Sequence, residues 1–196
     1  MAHRLALVAV TVAAAALALA GCASTDADSG HEGHGSQPSA SSSSGASSAD
    51  VMFAAMMIPH HEQAVEMADI VLAKPDLDPR VADLATRIRD AQAPEIATME
   101  GWLDAWGEDA DAHDGMDHGD DGMLSDEEIS ALETADGATA SRLFLEGMIA
   151  HHEGAVAMAE QELADGSDPE ALALAASIVE TQQAEIDEMQ ALLAQL

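Results

Sequence analysis

Four of the nine histidines fall in two adjacent pairs, His60-His61 and His151-His152, inside segments of nearly the same wording. Met57-Ile58-Pro59-His60-His61-Glu62-Gln63-Ala64-Val65-Glu66-Met67-Ala68 recurs as Met148-Ile149-Ala150-His151-His152-Glu153-Gly154-Ala155-Val156-Ala157-Met158-Ala159, at a constant offset of 91. Imidazole and thioether donors repeated at helical spacing suit a soft or borderline metal. Copper is the first choice, as Cu(I) through thioethers and in either oxidation state through imidazole, with Ag(I) and Zn(II) as further ions that this donor set accepts.

At about 100° per residue, Ile58, His61, Val65, Ala68 and Leu72 make one stripe, and Ile149, His152, Val156, Ala159 and Leu163 reproduce it. The stripe predicts His61 and His152 in the bundle interior, with Met57 and Met148 one turn earlier on the same side. His60 and His151 are turned toward the seam, where Met67 and Met158 follow at i+7. Gln92, Glu95, Gln182 and Glu185 interrupt otherwise apolar stripes. Buried polar groups need partners, so these four are expected to orient the histidines or to add carboxylate ligands. A third concentration of donors, His113, Met116, His118 and Met123, lies among aspartates between the repeats and reads as an auxiliary capture loop. Its glycines miss the EF-hand pattern, which argues against calcium.

These residues must be carried by helices. Asp50 is the expected N-cap of a helix to about Ala73 that contains Pro59. Asp78-Pro79 opens a second helix to about Trp106 with Pro94 inside it, and Asp168-Pro169 opens the last. The second copy of the His segment implies a helix from about Thr139 to Ala164, and Ser125-Asp126-Glu127-Glu128 is a capping box for a short helix to about Thr134. Leu84, Ile88, Gln92, Glu95, Ile96, Met99 and Leu103 recur as Leu174, Ile178, Gln182, Glu185, Ile186, Met189 and Leu193, so the repeat covers whole hairpins. One hairpin cannot bury its stripe alone; pairing two gives an all-α four-helix bundle with approximate two-fold symmetry. The domain is placed at residues 50–196, with one repeat over 50–106, the acidic loop over 107–124 and the second repeat over 139–196.

The chain has 196 residues, 48% of them apolar, with 6 basic against 37 acidic side chains and a net charge of −31. That balance excludes nucleic acid as a partner and favours cations. The first residues form an export signal over 1–21: His3 and Arg4, then an apolar run from Leu5 to Ala20. Its end, Leu19-Ala20-Gly21-Cys22, resembles a bacterial lipobox and contains the single cysteine, which implies lipidation at Cys22 and a membrane anchor on the extracytoplasmic face. Residues 22–49 are rich in Ser, Gly and Asp and read as a disordered tether carrying His31 and His34.

Enzyme signatures are lacking. His61-Glu62 and His152-Glu153 begin a zincin motif without its second histidine, and the Glu-x-x-His pairs of di-iron bundles are absent. No phosphate loop, nucleophile elbow or second cysteine is present.

The duplicated Met-Ile-x-His-His segment, together with Gln92, Glu95, Ile96, Met99, Trp102, Leu103 and the run Arg142-Leu143-Phe144-Leu145, closely resembles the bacterial domain of unknown function 305 family over about Asp50 to Leu196. The resemblance implies a ferritin-like helical bundle and extracytoplasmic copper binding linked to copper tolerance. It implies as ligands Met57, His60, His61, Met67, Met148, His151, His152 and Met158. The expected function is copper sequestration or transfer without catalysis. The alternative is a structural or interaction module of the cell envelope with core histidines, and a metal-dependent oxidase is the third reading.

Overall fold

The computed structural model describes residues 45–108 and 121–196. The expected signal segment, Cys22, His31, His34 and the loop residues His113, Met116 and His118 lie outside them. Among the described residues there are five helices and no strand: α1 Ser48–Leu72, α2 Pro79–Trp106, α3 Asp126–Thr134, α4 Gly137–Asp165 and α5 Pro169–Leu193. None is long and apolar enough to cross a membrane.

Local chemistry sets most boundaries. Asp78 and Asp168 cap α2 and α5, each followed by proline at the first helical position, and Ser125 with Glu128 forms the capping box of α3. Two starts differ from expectation. The cap of α1 is Ser47, with Asp50 as its reciprocal third residue, so the helix begins at Ser48 inside the expected tether. Asp50 is buried and also accepts from the backbone N–H groups of Ser167 and Asp168, fastening the start of α1 to the turn before α5. Helix α4 begins at Gly137 with Asp136 as its cap, two residues before Thr139. Pro59 and Pro94 sit inside continuous helices.

Helices α1 and α2 form one hairpin, α4 and α5 the other, and α1 packs against α4 between them. The α1/α4 contact is antiparallel: Asp50 meets Ser167, His60 meets His151, and Met67 reaches Gly147. Two apolar clusters form the core. One holds Met67, Leu84, Ile88, Phe144, Met148 and Met189; the other holds Phe53, Met57, Met99, Leu103, Ala159 and Ile178. Each draws on both hairpins, and the repeat maps Phe53 onto Phe144, Met57 onto Met148 and Met99 onto Met189. Burying one such side chain stabilises by roughly 1.5–3 kcal/mol. Along every long helix a polar residue separates the two clusters: the His pairs in α1 and α4, Gln92 in α2 and Gln182 in α5. The middle of the bundle is therefore a buried polar layer.

Candidate metal centre

All four histidines of the layer are fully buried. His60 and His151 face each other across the α1/α4 contact, their ring centroids 3.7 Å apart and their planes tilted by 38°. His61 donates from Nε2 to Glu95 Oε2 at 2.9 Å, and His152 donates likewise to Glu185 Oε2 at 2.8 Å. His61 and His152 lie in the interior, as the stripe predicts, and each turns toward its own hairpin's carboxylate; His60 and His151 are buried as well and meet across the α1/α4 contact. The reason is that α1 and α4 are each covered on more than one side. Buried Ala64, Met67 and Val71 extend the apolar surface beyond the predicted stripe, and Val65 and Leu72 are only half-buried.

Glu95 and Glu185 occupy the orienting role expected of them. Gln92 and Gln182 are buried in the layer, but their Oε1 atoms have no hydrogen-bond partner, and neither is hydrogen-bonded to a histidine. Met57, Met67 and Met148 are fully buried in the apolar clusters beside the layer. Met158 is half-buried, packs against the cluster that holds Met57 and lines a pocket open to the surface.

His60 Nε2 donates to the backbone carbonyl of Asp121 at 3.0 Å. Asp121 opens a strap, residues 121–124, that lies along α4. Gln63 grips it from both sides, donating to the Leu124 carbonyl at 2.9 Å and accepting from the Leu124 N–H at 2.7 Å. Glycine makes the approach feasible: a Cβ on Gly154 would stand 1.5 Å from the Asp121 oxygen, and Gly122 adopts a φ of 82° against the Ala150 carbonyl. Met123, expected in the capture loop, belongs to this strap. Sequence reasoning assigned nothing to Gln63 or to the Asp121 carbonyl; the exchange of Gln63 for Gly154 between the repeats is the signal that marks them.

The oxygen acceptors fix the tautomers. An imidazole donating from Nε2 to a carbonyl or carboxylate keeps its lone pair on Nδ1. In His61 and His152 that Nδ1 is buried without a hydrogen-bond partner, and neither ring nitrogen of His151 makes a well-formed hydrogen bond. Burial, then the neighbouring imidazoles of His60, His152 and His61, hold the His151 pKa well below its ordinary value, so the ring is neutral. Unpaired buried nitrogens cost free energy, and neutral imidazoles are the form that ligates metals. Among the described residues no three His, Cys, Asp or Glu side chains form a metal-holding group. The donors that converge are imidazoles with thioethers nearby, a set that fits a soft ion of low coordination number.

The model of the domain of unknown function DUF305 matches residues 50–193. A putative secreted DUF305 protein from Streptomyces coelicolor is 39% identical and superposes with a TM-score of 0.70, covering 75% of this chain and 91% of that one. A DUF305 fragment from Deinococcus radiodurans is 35% identical with a TM-score of 0.69, covering 77% and 99%. CopM in its Cu(I)-bound form is 30% identical with a TM-score of 0.62, covering 74% and 96%, and CopM has also been solved with Cu(II) and with Ag. No curated protein matches. With its paired histidines, its helical hairpins and a match across the whole bundle, the chain belongs to the DUF305 family.

Proposed function

We propose that this protein binds monovalent copper, with Ag(I) as its analogue, in the buried layer around His60 and His151. The observation that carries the proposal is the set of buried ring nitrogens on His61, His151 and His152 without hydrogen-bond partners. His60, His61, His151 and His152 supply imidazole, and Met57, Met67 and Met148 supply thioethers from the adjoining clusters. Glu95 and Glu185 hold two rings by Nε2, and the strap holds a third. The copper and silver forms of CopM support the choice of ion. Copper here is cargo: the protein sequesters it or passes it on and catalyses no reaction. The apolar run ending at Leu19-Ala20-Gly21-Cys22 supports export and a lipid anchor at Cys22, which would place the bundle on the extracytoplasmic face of the membrane.

Cu(I) titrated into the full-length protein against a chromogenic Cu(I) chelator tests the central claim. Tight binding is expected in the native protein and its loss in a His60→Asn, His151→Asn variant. Copper at about 100 times its dissociation constant should also stabilise the native protein by about 2.7 kcal/mol. Absence of both effects would make the histidines structural and favour an interaction module of the envelope.

A further inference from the structure

The strap covers one of two α1/α4 grooves that the internal repeat makes equivalent. On the covered side Leu124 packs on Gly147, where an added Cβ would lie 3.0 Å from Leu124 Cδ2 and 3.4 Å from Met67 Cε. The repeat carries Gly147 onto Met56, Leu143 onto Met52 and Met67 onto Met158. On that second side none of the described residues lies over the groove. It remains a pocket of 170 Å³, lined by Met52, Met56 and Met158 together with Phe53 and Glu162.

Met158 packs on the edge of the second apolar cluster, but Met52 and Met56 belong to neither cluster. Met52 is 39% exposed, and Met56 and Met158 are half-buried, whereas Met57, Met67, Met99, Met148 and Met189 are fully buried. A thioether at a water-open rim gains little from burial, and two of the three positions carry Leu and Gly in the other copy. Methionine has three rotatable bonds, so three of them around a small pocket can bring their sulfurs to one ion. Glu162, which lines the same pocket, is itself buried, with its carboxyl against that of Asp50. Its surroundings are negative, because the Asp50 carboxylate lies beside it.

We propose that Met52, Met56 and Met158 form a peripheral site for a monovalent soft cation, Cu(I) or Ag(I), separate from the histidine layer. Neutral thioethers select such an ion over Zn(II) or other divalent ions, which prefer nitrogen and oxygen donors. The site needs no histidine and stands whether or not the central layer binds metal.

The test is methionine methyl NMR on the full-length protein, labelled with ¹³C at Cε and titrated with Ag(I) and separately with Zn(II). The expected result is that the methyl signals of Met52, Met56 and Met158 move together with Ag(I) and stay in place with Zn(II). Native mass spectrometry should then find one Ag(I) fewer in a Met52→Leu, Met56→Leu, Met158→Leu variant, with Met52→Leu alone weakening the same ion. Movement confined to Met57, Met67 and Met148 would overturn the peripheral site and leave the central reading standing. Movement confined to the peripheral three would do the reverse.

Discussion

Each carboxylate at the rim of the polar layer positions the ring that it holds. Glu95 and Glu185 accept from His61 and His152, and these bonds fix the orientation in which each ring presents its opposite nitrogen. A glutamine keeps an oxygen acceptor but removes the charge. The Glu95→Gln, Glu185→Gln variant should therefore fold normally and bind Cu(I) about 10-fold more weakly, measured by chelator competition. Unchanged affinity would reduce the two carboxylates to spacers. These partners were legible in the sequence because Gln92-x-x-Glu95 and Gln182-x-x-Glu185 interrupt apolar stripes, and such interruptions must be paid for with hydrogen bonds. The choice of central pair was not legible. When a helix is buried on two sides, adjacent histidines both point inward, and periodicity alone does not say which neighbour each one meets.

Among the elements, the strap is the one that no pattern announced. Its grip depends on a side chain of α1 and on missing side chains of α4, so the information is split between segments distant in sequence. Helix boundaries, by contrast, were readable wherever a cap and a proline coincide, as at Asp78-Pro79 and Asp168-Pro169. Ser47 was missed because Asp50 is an equally good cap by residue type, and its buried bonds to the α4–α5 turn are invisible locally. Replacing Gly154 by Ala puts a methyl group into the Asp121 carbonyl and should lift the strap, at a cost of about 1–3 kcal/mol. Gln63→Leu should release the same segment without the clash. In both variants hydrogen exchange at Met123 and Leu124 should rise while α2 and α5 stay protected. Exchange that rises uniformly would mean that the strap is not an independent unit.

At the scale of the whole molecule, two buried groups set opposing pH dependences. Burial first, and then the contact and charge of Asp50, push the Glu162 carboxyl up to about 8. The folded state thus holds a proton that an unfolded glutamate releases near 4.3, so this contribution is complete in acid and is lost as pH rises through about 8. His151 acts in the other direction: its depressed pKa gives stability that is present above about 6.5 and lost as pH falls. Glu162→Gln keeps the neutral form at every pH. Between pH 6 and pH 9 the native protein should lose roughly 5 °C of midpoint relative to this variant in thermal unfolding. Parallel melting curves would show that Glu162 ionises without penalty.

The meeting of His60 with His151 draws one ring from each half of the duplication. Neither hairpin holds that pair alone, so the protein is built as a dimer of hairpins joined within one chain. The covalent link replaces an encounter between two molecules by one within a single molecule, at an effective concentration on the order of millimolar. The meeting of the two rings is thereby independent of how dilute the protein is, a property that two separate hairpins of the same sequence would lack.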